Sequence, residues 1–311
     1  MMPSSRVRRD ENGGFVGPCP SCGESPVILF LKAKNTDKPE QYRITEEQLR
    51  TCWDLWKCAR CGFIFSDWQL SEAELEALYK NMEDAVYDSE DVSRRLTFRH
   101  DLKRITQHLR THPVSLLDVG CATGLFLVEA KELGWQVAGI DVSSWAIRRT
   151  KERGITDAHE GTVFSFPGKP GNFDVVTLLD YIEHDPDPGK LLDRIHVLLK
   201  PHGLLYITTP DIGGITARIF GARWWGINPL HLTYFSRAPM RRLLERHGFE
   251  VLRLRSYRRT FTLGYWASRL THFSPGFSKK LEAVLRFFHL SSLPFSITLF
   301  DAMEVIARKQ S

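Results

Sequence analysis

Three groups of residues in this chain have the types and spacing to do chemistry. Cys19-Pro-Ser-Cys22-Gly and Cys58-Ala-Arg-Cys61-Gly are matched C-x-x-C pairs, with Cys22 and Cys58 36 positions apart. Together they supply four thiolates, the number a closed structural zinc site takes, and one hairpin or short helix can fill the interval. A redox dithiol is the other use of this spacing, but redox motifs rarely come as matched pairs. The second group is Leu116-Leu-Asp-Val-Gly-Cys-Ala-Thr-Gly124, an acid and two glycines in one loop, with Asp141 23 positions after Asp118. The third comprises Asp180, Glu183 and His184, with His231 further on. Acids and imidazoles so grouped suit proton removal or a divalent ion.

The loop can be tested against nucleotide chemistry. A dinucleotide fingerprint needs G-x-G-x-x-G, but Ala122 and Leu125 hold its second and third glycine positions, so it fails. Asp118, ahead of Gly120, would repel a pyrophosphate and suits a cationic amino group. Asp141 is placed to accept from both ribose hydroxyls. Gly120 and Gly124 permit a tight turn with close backbone approach to a ligand. An adenosine bearing an amino acid, with no phosphate, fits all of this.

The elements that must carry these groups follow from the pattern. From Val114 apolar strands alternate with helical segments: strands at 114–119, 136–140, 155–159, 173–179 and 204–208, helices at 125–133, 144–153 and 189–199. That alternation predicts a doubly wound α/β fold, a seven-stranded and mostly parallel sheet. Pro201 and Gly203 stop the third helix. A helix is expected at 239–247, a strand at 249–257 and a last strand at 302–307. Ahead of this domain, assigned to 113–311, a polar tail at 1–14 is expected to be disordered. A zinc-ribbon-like unit is expected at 15–68 and a helical linker at 69–112, opened by the capping box Ser71-Glu-Ala-Glu74 with Leu75, Leu78 and Tyr79 behind it. Segments about 211–236 and 258–300 read as substrate lids.

LLDVGCATG followed by GIDVS resembles the first two motifs of class I S-adenosylmethionine (SAM)-dependent methyltransferases, and FDVVTLLDYIEHDPDP and LLKPHGLLYITTP resemble the later ones. The resemblance covers about Val114 to Pro210 and, more weakly, the last hundred residues. It extends to the ubiquinone-pathway O-methyltransferase type and to bacterial relatives with a Cys-rich N-terminus. It implies that Asp118, Gly120 and Gly124 shape the methionine pocket, with Cys121 on the same loop. Asp141, beside Val142, would hold the ribose, and Thr162 and Val163 would meet adenine. Asp180 would close the cofactor site. Many relatives have Asp at the position of Thr162, and Ala122 replaces a Gly. The ubiquinone-pathway likeness also suggests a divalent ion at Asp180, Glu183 and His184. His184 as general base is the alternative, and capping of the next helix is the structural one. In related enzymes a His in the P-x-H-L segment borders the substrate cavity, which makes His231 the second base candidate; a hydrogen-bonded structural His is its other reading. Trp224, Trp225, Tyr234 and Phe235 would line a ring-shaped acceptor site or pack the core.

Composition bounds the rest. The chain has 311 residues, 42 % hydrophobic and 25 % charged, with 42 Lys and Arg against 37 Asp and Glu. This excludes collagen-like, coiled-coil and wholly disordered classes, and a net charge of +5 does not by itself imply nucleic acid. The start MMPSSRVRRDENGG carries no apolar run behind its charges, and no stretch reaches a membrane span, so a cytoplasmic location is expected. Three functions compete. The first is methylation of O, N or C on a small metabolite such as a sugar nucleotide, a quinol or a secondary metabolite. The second is RNA methylation, in which the zinc unit and eight arginines between Arg237 and Arg259 grip phosphates; the strand-end tetrapeptide Leu-Asp-Tyr-Ile, however, lacks the N/D-P-P-Y/F pattern of many amino-methylating enzymes. The third is a non-catalytic SAM-binding regulator. Phe261–Phe300, with Trp266, Phe273, Phe277, Phe287 and Phe288, reads either as lid packing or as a membrane-surface contact.

Overall fold

The computed structural model describes residues 8–9, 15–33, 53–67, 74, 77, 91–110, 114–270 and 274–310. Ser71, Leu75, Leu78, Tyr79, Cys52, Phe273 and most of the 1–14 tail lie outside them. The strands are β1 (Arg8–Arg9), β2 (Phe15–Val16), β3 (Val27–Leu31), β4 (Leu55–Cys58), β5 (Ile64–Ser66), β6 (Ser115–Val119), β7 (Gln136–Asp141), β8 (Ala158–Glu160), β9 (Phe173–Leu179), β10 (Leu199–Pro210), β11 (Thr233–Tyr234), β12 (Phe249–Ser256), β13 (Arg259–Thr262), β14 (Pro294–Ile297) and β15 (Ala302–Lys309). The α-helices are α1 (Asp91–Thr106), α2 (Leu125–Glu132), α3 (Ser144–Glu152), α4 (Pro188–Leu198), α5 (Ile215–Phe220), α6 (Arg237–Arg246), α7 (Leu263–Arg269) and α8 (Pro275–Phe287).

Seven strands form the main sheet in the order β12-β15-β10-β9-β6-β7-β8, and β15 alone runs against its neighbours. The expected doubly wound, mostly parallel sheet is therefore present. Strand order reverses beside β6: β7 and β8 lie on one side, β9 and β10 on the other. In open α/β sheets that reversal opens a crevice at the carboxyl ends of the strands. Two features differ from the sequence expectation. Leu199 already pairs with Phe173, so β10 starts early, and its register slips between Leu199 and Leu204. Pro201, the positive-φ His202 (+62°) and Gly203 make that bulge. Ile155 belongs to the turn that closes α3 instead of opening a strand, its N–H bonding back to Thr150 O at 3.3 Å, and β8 begins at Ala158.

Alternation along the strands splits the core. Leu117, Val176 and Leu205 face α4 and α6, while Leu116, Val175 and Leu204 face α1 and α2. The first of these cores does not stop at the main domain. It runs on through Phe63, Phe65 and Trp56 to Cys19 and Cys58. A second sheet, β11-β5-β4-β3, joins the two halves of the chain: Thr233 pairs with Phe65 and Tyr234 with Ile64. The helix ends are chemically specified. Ser143 caps α3 through Ala146 N–H (3.2 Å), and Asp187 caps α4 through Lys190 N–H (3.1 Å) ahead of Pro188.

On the α1 face a polar knot is buried. Asp101, fully inaccessible, accepts from Tyr206 Oη (2.8 Å), Tyr257 Oη (2.7 Å) and Arg104 Nη1 (2.8 Å), and Arg104 also reaches Glu304 on β15 (2.9 Å). It fastens α1 to β10, to β15 and to Tyr257, beyond β12. Removing the carboxylate leaves two hydroxyls and a guanidinium with unmet needs. Asp101→Ala is expected to lower unfolding free energy by about 3–5 kcal/mol, measured by denaturant titration.

Candidate functional site

At the end of β6 the chain enters a left-handed elbow. Gly120 (φ +74°), Ala122 (+47°) and Gly124 (+75°) alternate with ordinary residues. A Cβ on Gly120 would lie 2.3 Å from Tyr181 Cδ2, and one on Gly124 2.6 Å from Thr150 Cγ2, so both positions exclude a side chain by space as well as by φ. Ala122 accepts the conformation at a cost of roughly 1–2 kcal/mol. The elbow is tied down from β7. Asp141 Oδ2 accepts from Ala122 N–H (2.9 Å) and Oδ1 from Ser143 N–H (2.8 Å), while Thr150 Oγ1 donates to Ala122 O (2.9 Å).

Asp118 faces Thr177, its register partner on β9, whose hydroxyl donates to Oδ1 at 2.6 Å. Burial pushes the Asp118 carboxyl up to about 7; the charge of Asp141 adds to the rise and the Thr177 bond opposes it. Asp141 is also raised by burial, against hydrogen bonds from the amides of Ser143, Ala122 and Val142. The Thr123 hydroxyl, fully buried in the elbow, has no hydrogen-bond partner among the described residues. Two carboxylates, an orphaned hydroxyl and a turn with no basic side chain fit a ligand with an ammonium group and vicinal hydroxyls and do not fit a phosphate. Cys121 is buried behind the elbow, packed toward Gly139. The Thr162 side chain is exposed. Val163 lies in the core, with its carbonyl held by Arg194 Nε at 3.1 Å.

After β9 the backbone turns at Asp180 (φ +50°) into a single helical turn, Ile182–His184. A carboxylate oxygen of Glu183 and one nitrogen each of His184 and His231 lie within 4.8 Å of one another. The two rings meet edge to face with centroids 4.8 Å apart. His184 Nδ1 lies 3.0 Å from Leu230 O and His231 Nδ1 2.9 Å from Gly226 O. A carbonyl only accepts, so in each ring Nδ1 carries the proton and Nε2 is the basic nitrogen. Burial pushes His184 down to about 4, and burial with the neighbouring His184 pushes His231 down to about 3. Glu183 is pushed up to about 8, chiefly by burial and then by the Asp180 charge; Thr209 Oγ1 donates to its Oε2 at 2.9 Å. Asp180, grouped with Glu183 and His184 in the sequence, is not part of this trio. It receives Thr208 Oγ1 at 3.2 Å and faces Arg259 at 4.0 Å. Of the candidate acceptor-site aromatics, Trp224, Tyr234 and Phe235 are buried packing residues. Trp225 alone is exposed, its Nε1 donating to Asp301 at 3.2 Å. Tyr181, Thr150 and Thr177 escaped the sequence reading. Thr177 leaves one local trace, a polar residue in the apolar run FDVVTLL, but its pairing with Asp118 depends on strand register.

The four N-terminal cysteines converge. Cys19 and Cys61 Sγ are 3.7 Å apart, Cys22 and Cys58 Sγ 3.6 Å, and all four sulfurs lie within 4.8 Å. A regular tetrahedron with Zn–S bonds near 2.3 Å has edges of about 3.8 Å. The two knuckles are built alike: Cys19 O accepts from Gly23 N–H (2.8 Å) and Cys58 O from Gly62 N–H (2.9 Å), while Cys19 N–H donates to Glu24 O and Cys58 N–H to Phe63 O, both 2.9 Å. Arg242 donates to Cys61 O at 2.5 Å and Arg246 to Ser21 O, so α6 grips both knuckles.

A family model for a methyltransferase domain matches residues 90–254, more than half of the chain. The chain belongs to that family. Among curated proteins it is similar to the ubiquinone biosynthesis O-methyltransferases of Paraburkholderia phymatum (32 % identity over 114 residues, 35 % of this chain and 49 % of that protein) and Azotobacter vinelandii (38 % over 112 residues, 34 % and 48 %). The chain spans about half the length of these relatives. Among solved structures, a SAM-dependent methyltransferase from Archaeoglobus fulgidus aligns over 73 % of this chain and 100 % of its own, with TM-score 0.50 and 19 % identity, a likeness of fold.

Proposed function

We propose that the protein transfers a methyl group from SAM to a hydroxyl of a small, ring-bearing metabolite of the quinol type. The observation that carries the acceptor chemistry is the pair of carbonyl-anchored imidazoles beside Glu183. Asp118 and the Thr123 hydroxyl would hold the methionine end of SAM, and Asp141 with Val142 the ribose. Thr162 and Asp180 would flank the site. Bound there, SAM supplies a methyl group on a positively charged sulfur. The chain's own part is to remove the acceptor's proton. His184 and His231 stay neutral at physiological pH, with Nε2 as the accepting atom in each. The proton of the attacking hydroxyl passes to His184, and His231 lies close enough to share it.

The same trio suits a divalent ion, two neutral imidazoles and one carboxylate. Activity that survives chelation supports the imidazole base. Activity lost to chelator and restored by magnesium or manganese supports the ion. Two other readings have less behind them. RNA methylation would need the arginines between 237 and 259 to face phosphates, yet most are engaged within the chain: Arg237 with Asp211, Arg242 and Arg246 with the knuckle carbonyls, Arg253 and Arg255 with Glu304, Arg259 with Asp301. A purely regulatory protein would have no use for the paired imidazoles.

The cysteine centre we assign to structural zinc. Cys58→Ser is expected to reduce bound zinc from one ion per chain to a small fraction, read by elemental analysis, and to lower the melting temperature. A chain that retains its full zinc would remove the four-thiolate assignment.

For SAM, the sign of the pH dependence follows from Asp118. Its carboxyl sits near 7 in the ligand-free protein and pairs with an ammonium only when ionised. Affinity is expected to fall toward tenfold per pH unit below about 7 as the carboxylate takes up its proton. Titration calorimetry across this range checks it, and Asp118→Asn should flatten the profile. His184→Ala and His231→Ala are expected to lower kcat by about 10²-fold or more with SAM affinity unchanged. Full turnover in both variants would overturn the base assignment while leaving SAM binding intact.

A further inference from the structure

We propose that the outward face of α8 and the turn after it dock on an anionic lipid surface. Among the described residues, twelve of the eighteen large apolar side chains that are exposed fall between positions 215 and 300. On α8 the inward side is ordinary: Ser278 and Leu285 are buried, and Ser278 Oγ donates to Ala267 O of α7 at 2.7 Å. The outward side reverses the usual polarity of a surface helix. Phe277 is 58 % exposed, Val284 51 % and Phe287 78 %, and the apolar surface continues through Phe288 and Leu293. Trp266, in contrast, turns inward against Phe261 (ring centroids 5.5 Å apart), so not every aromatic of this segment belongs to the face. At the far end of the segment the Thr216 hydroxyl of α5 donates to Phe300 O at 3.4 Å, and Ile219 on that helix is 70 % exposed.

Charge selects the occupant. Lys279, Lys280 and Arg286 stand among the exposed apolar residues of α8. The only acid from 263 to 300 is Glu282, whose Oε1 accepts from Ser278 and whose Oε2 holds Arg286 at 2.9 Å. Apolar side chains mixed with cations, with almost no acid, form the pattern of a helix lying in the plane of a negatively charged membrane interface. A second copy fits poorly, because a two-fold contact through this face would set the same three cations against one another. Among the described residues no helix is long and apolar enough to cross a membrane, so the contact is peripheral.

The test is sedimentation of the full-length protein with vesicles of equal parts phosphatidylglycerol and phosphatidylcholine, against phosphatidylcholine alone. Binding is expected to the anionic vesicles and to weaken in high salt. Phe287→Asp, and separately the double change Lys279→Glu with Lys280→Glu, should each reduce it by about tenfold. These positions are exposed, so the variants should keep the parent melting temperature and SAM affinity. No binding to anionic vesicles, or equal binding by the variants, overturns the proposal. A dimer in analytical ultracentrifugation that Phe287→Asp dissolves, without vesicle binding, overturns it in favour of self-association.

Discussion

Asp141 holds two strands' worth of geometry in one carboxylate. Its oxygens reach back from the end of β7 to Ala122 N–H and forward to Ser143 N–H, fixing the elbow after β6 and the start of α3 together. Three positive-φ residues in five positions would not hold this shape unaided. Thr150 supports the same elbow from α3 and fills the space that Gly124 leaves. Tyr181 closes it from β9 against Gly120. The elbow is thus held from the end of β7, from α3 and from the turn after β9.

The second constraint is continuity between the cysteine centre and the methyltransferase fold. β11 belongs by sequence to the lid-like segment after β10, yet it pairs with β5. His231 lies two residues ahead of it, and α6, which follows, holds both knuckles through Arg242 and Arg246. Leu232 N–H donates to Glu183 O at 2.8 Å, so the same strap also pins the trio. A four-cysteine cluster far from Glu183 in sequence therefore braces the segment that positions the second imidazole.

The sequence made the central sheet legible because strands and helices carried their own apolar periods, with a stop signal such as Pro201 and Gly203 after the third helix. The elbow was readable too, since glycines at positive φ leave a chemical trace. What stayed hidden was long-range. Nothing local announces that Thr177 faces Asp118, because that depends on the register of two strands 59 residues apart. The partner of Glu183 and His184 is His231, not the adjacent Asp180, whose carboxylate is taken up by Thr208 and Arg259. The eight arginines looked like one basic patch, but β-strand alternation and the folding of α6 distribute them among different acids and carbonyls.

The pairing of β5 with β11 also has a consequence for synthesis. Residues 64–66 leave the ribosome well before residues 233–234 that complete their sheet, an interval of roughly 10–30 s at about 5–20 residues per second. Throughout it, the open edge of β5 and the aromatic surface of Phe63 and Phe65 lack their final cover. The nascent N-terminal segment must therefore wait for distant sequence before that edge is covered, and until then it is open to pairing with a neighbouring chain.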